Sequence, residues 1–198
     1  MRKTLSISLA LTLAAAVPAM AQSTGTPSYN APYRAFVQHE FGGTLSFSEN
    51  DVTGVEGQYR FGQGTWDVGL RGGFVDAAGA TSVIFGASGR VRVLTHSEQF
   101  PFDGAFIVGG GTQEFDNLNV PLGLSLGRRL DLQGSNVSIV PYAQPTLFMV
   151  FDDNALTDTI NVAFGFGADF RLSALFDLRV SVSLGDVEGI AFSAVWVR

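Results

Sequence analysis

Two histidines, His39 and His96, are the side chains of this 198-residue chain whose ordinary pKa suits proton transfer near neutral pH. His96 opens the run His96-Ser97-Glu98, which sets a base, a hydroxyl and a carboxylate side by side. Hydrolytic chemistry uses those groups, but it needs them hydrogen-bonded in space, and adjacency in sequence does not supply that geometry. His39 precedes Glu40 in a stretch that alternates as a strand, so the two side chains point to opposite faces. Metal ligation has less to draw on, with 0 Cys and no second His at ligand spacing. The residues therefore point to no catalysis, no metal and no cofactor.

The remaining chemistry lies in charges placed at every second position. They are Glu56, Arg60, Asp67, Arg71, Arg90, Arg92, Asp169, Arg171, Asp177 and Arg179. Each sits on a face otherwise made of glycine, serine and alanine, and the opposite face is bulky. From residue 160 to 172 the bulky face reads Ile160, Val162, Phe164, Phe166, Ala168, Phe170, Leu172, against Asn161, Ala163, Gly165, Gly167, Asp169, Arg171. The next run sets Phe176, Leu178, Val180, Val182 and Leu184 against Asp177, Arg179, Ser181, Ser183 and Gly185. Period two is the strand signature. Bulk on one face with small and charged residues on the other describes a barrel whose outer solvent is lipid.

The N-terminus agrees with export. Residues 1–21 read as a secretory signal peptide, with Arg2 and Lys3, an apolar stretch from Leu5 to Val17, and the cleavage site Ala19-Met20-Ala21. Losing Arg2 and Lys3 moves the formal net charge from −6 to −8, and every later cation is Arg. An acidic exported chain without basic clusters is a poor nucleic-acid binder. Residues 22–33, rich in Ser, Thr, Pro and Asn, read as a flexible lead-in. Residues 34–198 read as one domain.

The fold class is all-β: a closed antiparallel transmembrane β-barrel of ten strands, with eight as the alternative. The strands fall near 34–48, 52–62, 65–75, 81–94, 104–110, 117–127, 137–150, 159–172, 175–185 and 189–197, close to the roughly 9–11 residues that a tilted strand needs to cross a bilayer. A two-residue turn at Gln63-Gly64 would set Phe61 opposite Trp66, Arg60 opposite Asp67, Tyr59 opposite Val68 and Glu56 opposite Arg71. A three-residue turn at 173–175 would set Arg171 opposite Asp177 and Asp169 opposite Arg179. Both registers match opposite charges on the inner face. Tyr59, Phe61, Trp66, Phe170, Phe176 and Trp196 then gather outward at the end carrying the C-terminus, as an interfacial girdle requires. Phe47, Phe74, Met149 and Phe151 mark the other rim. Pro121, Pro141 and Pro145 fall inside strands, where proline calls for a bulge or a shifted boundary. Either face of the strand holding Tyr142 and Phe148 could be the inner one.

Signal peptide, alternating strands and the final segment from Gly189 to Arg198 resemble the small outer-membrane β-barrel proteins of Gram-negative bacteria, the outer membrane protein beta-barrel domain family. One departure is the end of the chain. Members usually finish on an aromatic residue read by the barrel-assembly machinery, and here Trp196 is followed by Val197 and Arg198. The resemblance implies an outer-membrane location, outer-membrane lipids and the assembly machinery as partners, and a monomer. It implies a structural or narrow passive-pore role, in which the charges either neutralise one another or, through unpaired Arg90 and Arg92, line an anion-preferring passage. Two other readings stand beside it. One is a lipid-modifying enzyme of the same membrane. The other is a soluble periplasmic barrel with its faces inverted around an apolar ligand. The outer connections, near 49–51, 76–82, 111–116, 152–158 and 186–188, are rich in Asp and Glu, which suit either turn geometry or divalent cations bridged to lipid phosphates.

Overall fold

Alternation of large and small side chains over strand after strand leaves a wall that can close on itself, and closure removes the unpaired edges that lipid would not tolerate. The computed structural model describes residues 24–32, 34, 36–152 and 159–198. Its strands are β1 (Glu40–Ser48), β2 (Val52–Gly62), β3 (Trp66–Ala77), β4 (Ala80–Leu94), β5 (Asp103–Gln113), β6 (Asn117–Gly127), β7 (Leu130–Asp131), β8 (Ser138–Asp152), β9 (Thr159–Arg171), β10 (Phe176–Gly185) and β11 (Gly189–Val197). Neighbours are antiparallel throughout, β1 pairs with β11, and β6 pairs with β8, so the sheet is closed. The two-residue β7 continues the β6–β8 hairpin. The wall therefore has ten strands rather than eight.

The faces are as the alternation requires. Val55, Leu70, Phe85, Phe106, Phe166 and Phe192 are exposed on the outside, while Thr44, Gln58, Ser88, Ser125, Ser181 and Ser193 are buried inside. Large apolar side chains facing out rule out the inverted, soluble arrangement. β8 resolves the facing left open by its sequence: Val140, Tyr142, Phe148 and Val150 are buried, and Leu147 faces out.

The N-terminal boundaries differ from expectation. The signal peptide, Met1–Ala21, lies outside the described residues. The first strand begins at Glu40 rather than residue 34, because Phe36 turns into the mouth of the barrel, fully buried, and its carbonyl accepts a hydrogen bond from Gly64 N–H. The stretch expected as a flexible lead-in is, over residues 24–32, lodged inside the barrel, with Thr24, Thr26, Ser28, Tyr29, Asn30 and Ala31 all buried. It lacks an apolar stripe, but a polar lumen selects hydrogen-bonding groups instead.

Of the two hairpin registers, the one at 173–175 stands. Leu178 pairs with Phe170, Asp177 with Arg171 and Arg179 with Asp169. The β2–β3 hairpin is two residues out of the expected register: Phe61 pairs with Val68, Arg60 with Gly69 and Gln58 with Arg71. Gln63 N–H donates to the Trp66 carbonyl, which makes Gly64-Thr65 the central pair of the turn. Gly64 takes φ +79°, a conformation only glycine adopts freely. A shift of two keeps every side chain on its face, so the charge partners survive as diagonal neighbours.

The prolines sit in the strands without bulges. Between β5 and β6 the pairing lapses at Pro121 and resumes in the same register, from Val108–Leu122 to Gly111–Asn119. Between β6 and β8 it lapses around Pro145 in the same way. Missing N–H groups thus cost ladder bonds but not register. The one register shift recorded along these ladders is between Arg92 and Leu94, where β4 meets β5.

Candidate functional site: a charged lumen holding the N-terminal segment

Nine of the ten expected inward charges are buried in the lumen; Arg92, only half-buried, stands at its mouth. With Glu40 added, the buried set among the described residues is five arginines and five carboxylates, so the lumen is balanced rather than cationic. Glu40 was missed by sequence reasoning. Its signal was parity, since it shares the small, polar face of β1 with Gly42, Thr44 and Ser46.

Nine of these ten charges form three clusters, and Arg171 pairs in register with Asp177. Asp67 bridges two arginines: Arg60 Nε donates to Oδ1 at 2.9 Å, and Arg90 Nε donates to Oδ2 at 2.9 Å, with Arg90 Nη2 2.8 Å from Oδ2. Arg90 is thus paired, contrary to the expectation of an unpaired cation. Arg60 also donates to Ser88 Oγ at 3.1 Å. It has room to lie across the sheet because its neighbour is Gly69, where any Cβ would strike the guanidinium. In the second cluster Arg179 reaches Glu40 Oε1 at 2.8 Å, Asp169 Oδ2 at 3.3 Å and Asp177 Oδ2 at 3.4 Å. In the third, Arg71 lies 3.4 Å from Glu56 and donates to Gln58 Oε1 at 3.0 Å.

Each cluster also grips the N-terminal segment. Thr26 Oγ1 donates to Glu56 at 3.0 Å, and Arg71 donates to the Ser28 carbonyl at 3.2 Å. Arg179 donates to Asn30 Oδ1 at 2.8 Å, and Arg90 to the Ala31 carbonyl at 2.7 Å. Ser181 Oγ donates to the Pro27 carbonyl at 2.9 Å, Tyr142 to the Tyr29 carbonyl at 3.0 Å, and Ser125 to the Asn30 carbonyl at 3.1 Å. The ring of Tyr29 packs on Gly165, and its hydroxyl meets Ser183 Oγ at 2.8 Å. Around Tyr29 the lumen is apolar, built from Ala31, Val140, Tyr142, Phe148, Ala163 and Val187. Val187, from the β10–β11 turn, and Phe36, at the other end, are both almost completely buried.

Below the segment Arg34 binds Asp177 at 3.0 Å and donates to the Ser173 and Ala174 carbonyls. Phe36 lies beneath both Arg90 and Arg92, with guanidinium-to-ring distances of 5.3 and 5.2 Å. Beyond it, at the end carrying the C-terminus, opens a cavity of about 690 Å³.

The aromatics expected to face outward gather at that end. Trp196 is stacked on Phe41 and tilted against Phe176; Phe61 packs against Trp66 and against His39, which also stacks on Tyr59. Phe170 faces out beside Leu178. His39 is therefore an outer-surface side chain placed just before β1. His96 Nδ1 lies 3.1 Å from Asp103 Oδ2, and Ser97 Oγ accepts from Phe100 N–H, so His96-Ser97-Glu98 folds into a turn without a triad. Among the described residues no cluster of His, Asp or Glu has the geometry of a metal site.

The acidic residues of the other rim form the turns. Asn50 and Asp51 both have φ near +60°, as a tight hairpin demands. Asp76 accepts from Gly79 N–H and Thr81 Oγ1, and Asp186 accepts from Val162 N–H. The connection expected at 76–82 is only Ala78-Gly79, because β3 and β4 run on to Ala77 and from Ala80. That at 111–116 narrows to 114–116, and residues 153–158 lie outside the described residues.

No family model matches the chain, and no curated protein matches it in sequence. Solved structures with a similar outline include a de novo designed transmembrane β-barrel, at 12% identity over 86% of this chain and 98% of that one, TM-score 0.44. The β domain of the Bordetella autotransporter BrkA is 14% identical over 81% of this chain and 97% of its own, TM-score 0.46. The outer membrane protein Omp33 of Acinetobacter baumannii is 11% identical over 80% and 97%, TM-score 0.39.

Proposed function

We propose that this chain is an integral outer-membrane β-barrel with a structural role, sealed along its axis by its own residues 24–32. The observation that carries the reading is the segment's seat: side chains of all three charge clusters donate to it or accept from it. Balanced lumen charge favours the same reading, since a passage for anions needs an excess of cations. The outer-membrane location rests on the lipid-facing belt, the interfacial aromatics and the export signal read from the sequence.

Conductance in planar bilayers tests it. The mature chain should give no steady channel, and removal of residues 22–32 should produce one. A steady open conductance from the intact chain would instead make it the narrow passive pore. The proposal assigns the barrel no reaction; loss of a lipid-modifying turnover on His96→Ala would reverse that. As a monomer it meets outer-membrane lipids and the assembly machinery, with no nucleic-acid partner.

A further inference from the structure

The end of the barrel that carries the C-terminus holds a cavity of about 690 Å³ whose walls, among the described residues, include Arg34, Arg92, Arg129 and Arg171 and no carboxylate, although Asp177 and Asp131 pair with Arg34 and Arg129 from behind. Its volume is that of a small-molecule site. Four guanidinium groups around one opening are out of keeping with a chain of formal net charge −6, and they face the end opposite the acidic turns. They come from four separate places: the segment leading to β1, the end of β4, the β6–β8 hairpin and the end of β9. Gln38, Asn136 and Ser138 add neutral hydrogen-bonding groups to the same walls.

Arg92 is the informative member. Its guanidinium lies on the ring of Phe36, and no carboxylate comes within ion-pairing distance among the described residues. Stacking on an aromatic face holds the plane of the fork and leaves its edge N–H groups for a ligand. Arg90, two residues earlier, lies over the same ring but spends its charge on Asp67. Phe36 thus lies between the neutralised Arg90 and a mouth in which Arg34 is held by Asp177 and Arg171 belongs to the balanced lumen set, so that Arg92 supplies the excess cationic charge. Arg129 is held by Asp131, but both are largely exposed, so that pair is readily exchanged for a better anion.

We propose that this mouth is a binding site for a small polyvalent oxyanion of the phosphate class, clamped between Arg92 and Arg129. Guanidinium groups match phosphate oxygens two by two, and charge-assisted bonds of this kind are the strong ones. The site goes beyond the structural role and does not need a conducting lumen.

The test is titration of the folded barrel in neutral detergent with inorganic pyrophosphate, followed calorimetrically, at constant ionic strength. The intact chain should bind one equivalent. Arg92→Gln and Arg129→Gln should each weaken binding about tenfold, the loss of one charge-assisted contact, with the unheated gel mobility unchanged. Short-chain phosphatidylglycerol in the same micelles forms a second arm. Competition with pyrophosphate at this mouth would identify a lipid phosphate as the source, and binding of pyrophosphate alone would identify a free phosphate compound. No binding by the intact chain, or equal binding by the Arg92→Gln/Arg129→Gln double variant, would overturn the site.

Discussion

The hydroxyl of Tyr29 meets Ser183 Oγ at 2.8 Å inside the barrel, joining residues 154 positions apart. The contact is possible because the ring lies where β9 has Gly165; a Cβ there would come within 2.5 to 2.7 Å of three ring atoms. Gly165→Val should therefore lift the N-terminal segment off the wall while leaving the closed sheet in place. Forced overpacking of this kind costs about 1–3 kcal/mol. Limited proteolysis should show faster cleavage within residues 24–32 and an intact barrel fragment.

Asp67 compensates both Arg60 and Arg90 in a buried setting. Asp67→Asn leaves two guanidinium groups facing each other without the carboxylate that both of them bond. Removing one partner of a buried pair costs about 3–5 kcal/mol. Urea unfolding in detergent should show that loss, and adding Arg90→Gln should recover part of it, since residues of one network do not act additively.

The lipid-facing assignment predicts a sharp contrast on neighbouring strands. Phe166→Arg, at the exposed centre of β9, should cost about 2–4 kcal/mol in vesicles and lower the folded yield. Ser181→Ala, on the inner face of β10, removes the hydrogen bond to the Pro27 carbonyl, about 1 kcal/mol, and should lower the folded yield much less. Equal losses from the two would put the outer face in water.

At the rim opposite the C-terminus, the Glu49 carboxyl shares a hydrogen bond with Glu188, and both that bond and the neighbouring negative charge raise its pKa above the ordinary glutamate value. A raised carboxyl pKa means the folded rim holds its proton more tightly than the unfolded chain. The bond is present at low pH and is lost as pH rises through the raised pKa, leaving two like charges across the β1–β11 seam. The protection of the Glu49 amide, its exchange rate relative to the unfolded chain at the same pH, should rise on acidification, and Glu188→Gln should bring the Glu49 titration, followed by NMR, back down.

Strand positions and faces were legible because each depends on local alternation, and β9 and β10 carry it almost unbroken. Register at Gln63-Gly64 was not, because a slip of two preserves both faces and both sets of opposite charges; what separates the turns is their first central position, which needs positive φ and suits Gly64 better than Gln63. Residues 24–32 were misread for a different reason. Ser, Thr, Pro and Asn signal a loop when the surroundings are water, and the segment's surroundings are the arginines of its own barrel. Arg90 was read as free because its partner Asp67 lies on the next strand, beyond the range of any pattern within β4. The arginine-lined mouth depends on four distant segments meeting, and Arg34 and Arg129 carried no mark of it.

Closure of the lumen by the chain's own N-terminal segment can be read from a disulfide. The chain has 0 Cys, so an added pair reports only itself. A Cβ at Gly54 would lie 3.4 Å from Thr26 Cγ2, where a cysteine Sγ could sit, once the Ser46 hydroxyl 2.5 Å from that Cβ rotates aside. The double variant Thr26→Cys/Gly54→Cys, folded in vesicles and oxidised, should cross-link nearly completely. The pair Thr26→Cys/Gly79→Cys, with the second thiol on an open turn, should not. Failure of the first pair to close, or equal closure of both, would place the segment outside the barrel and contradict the account.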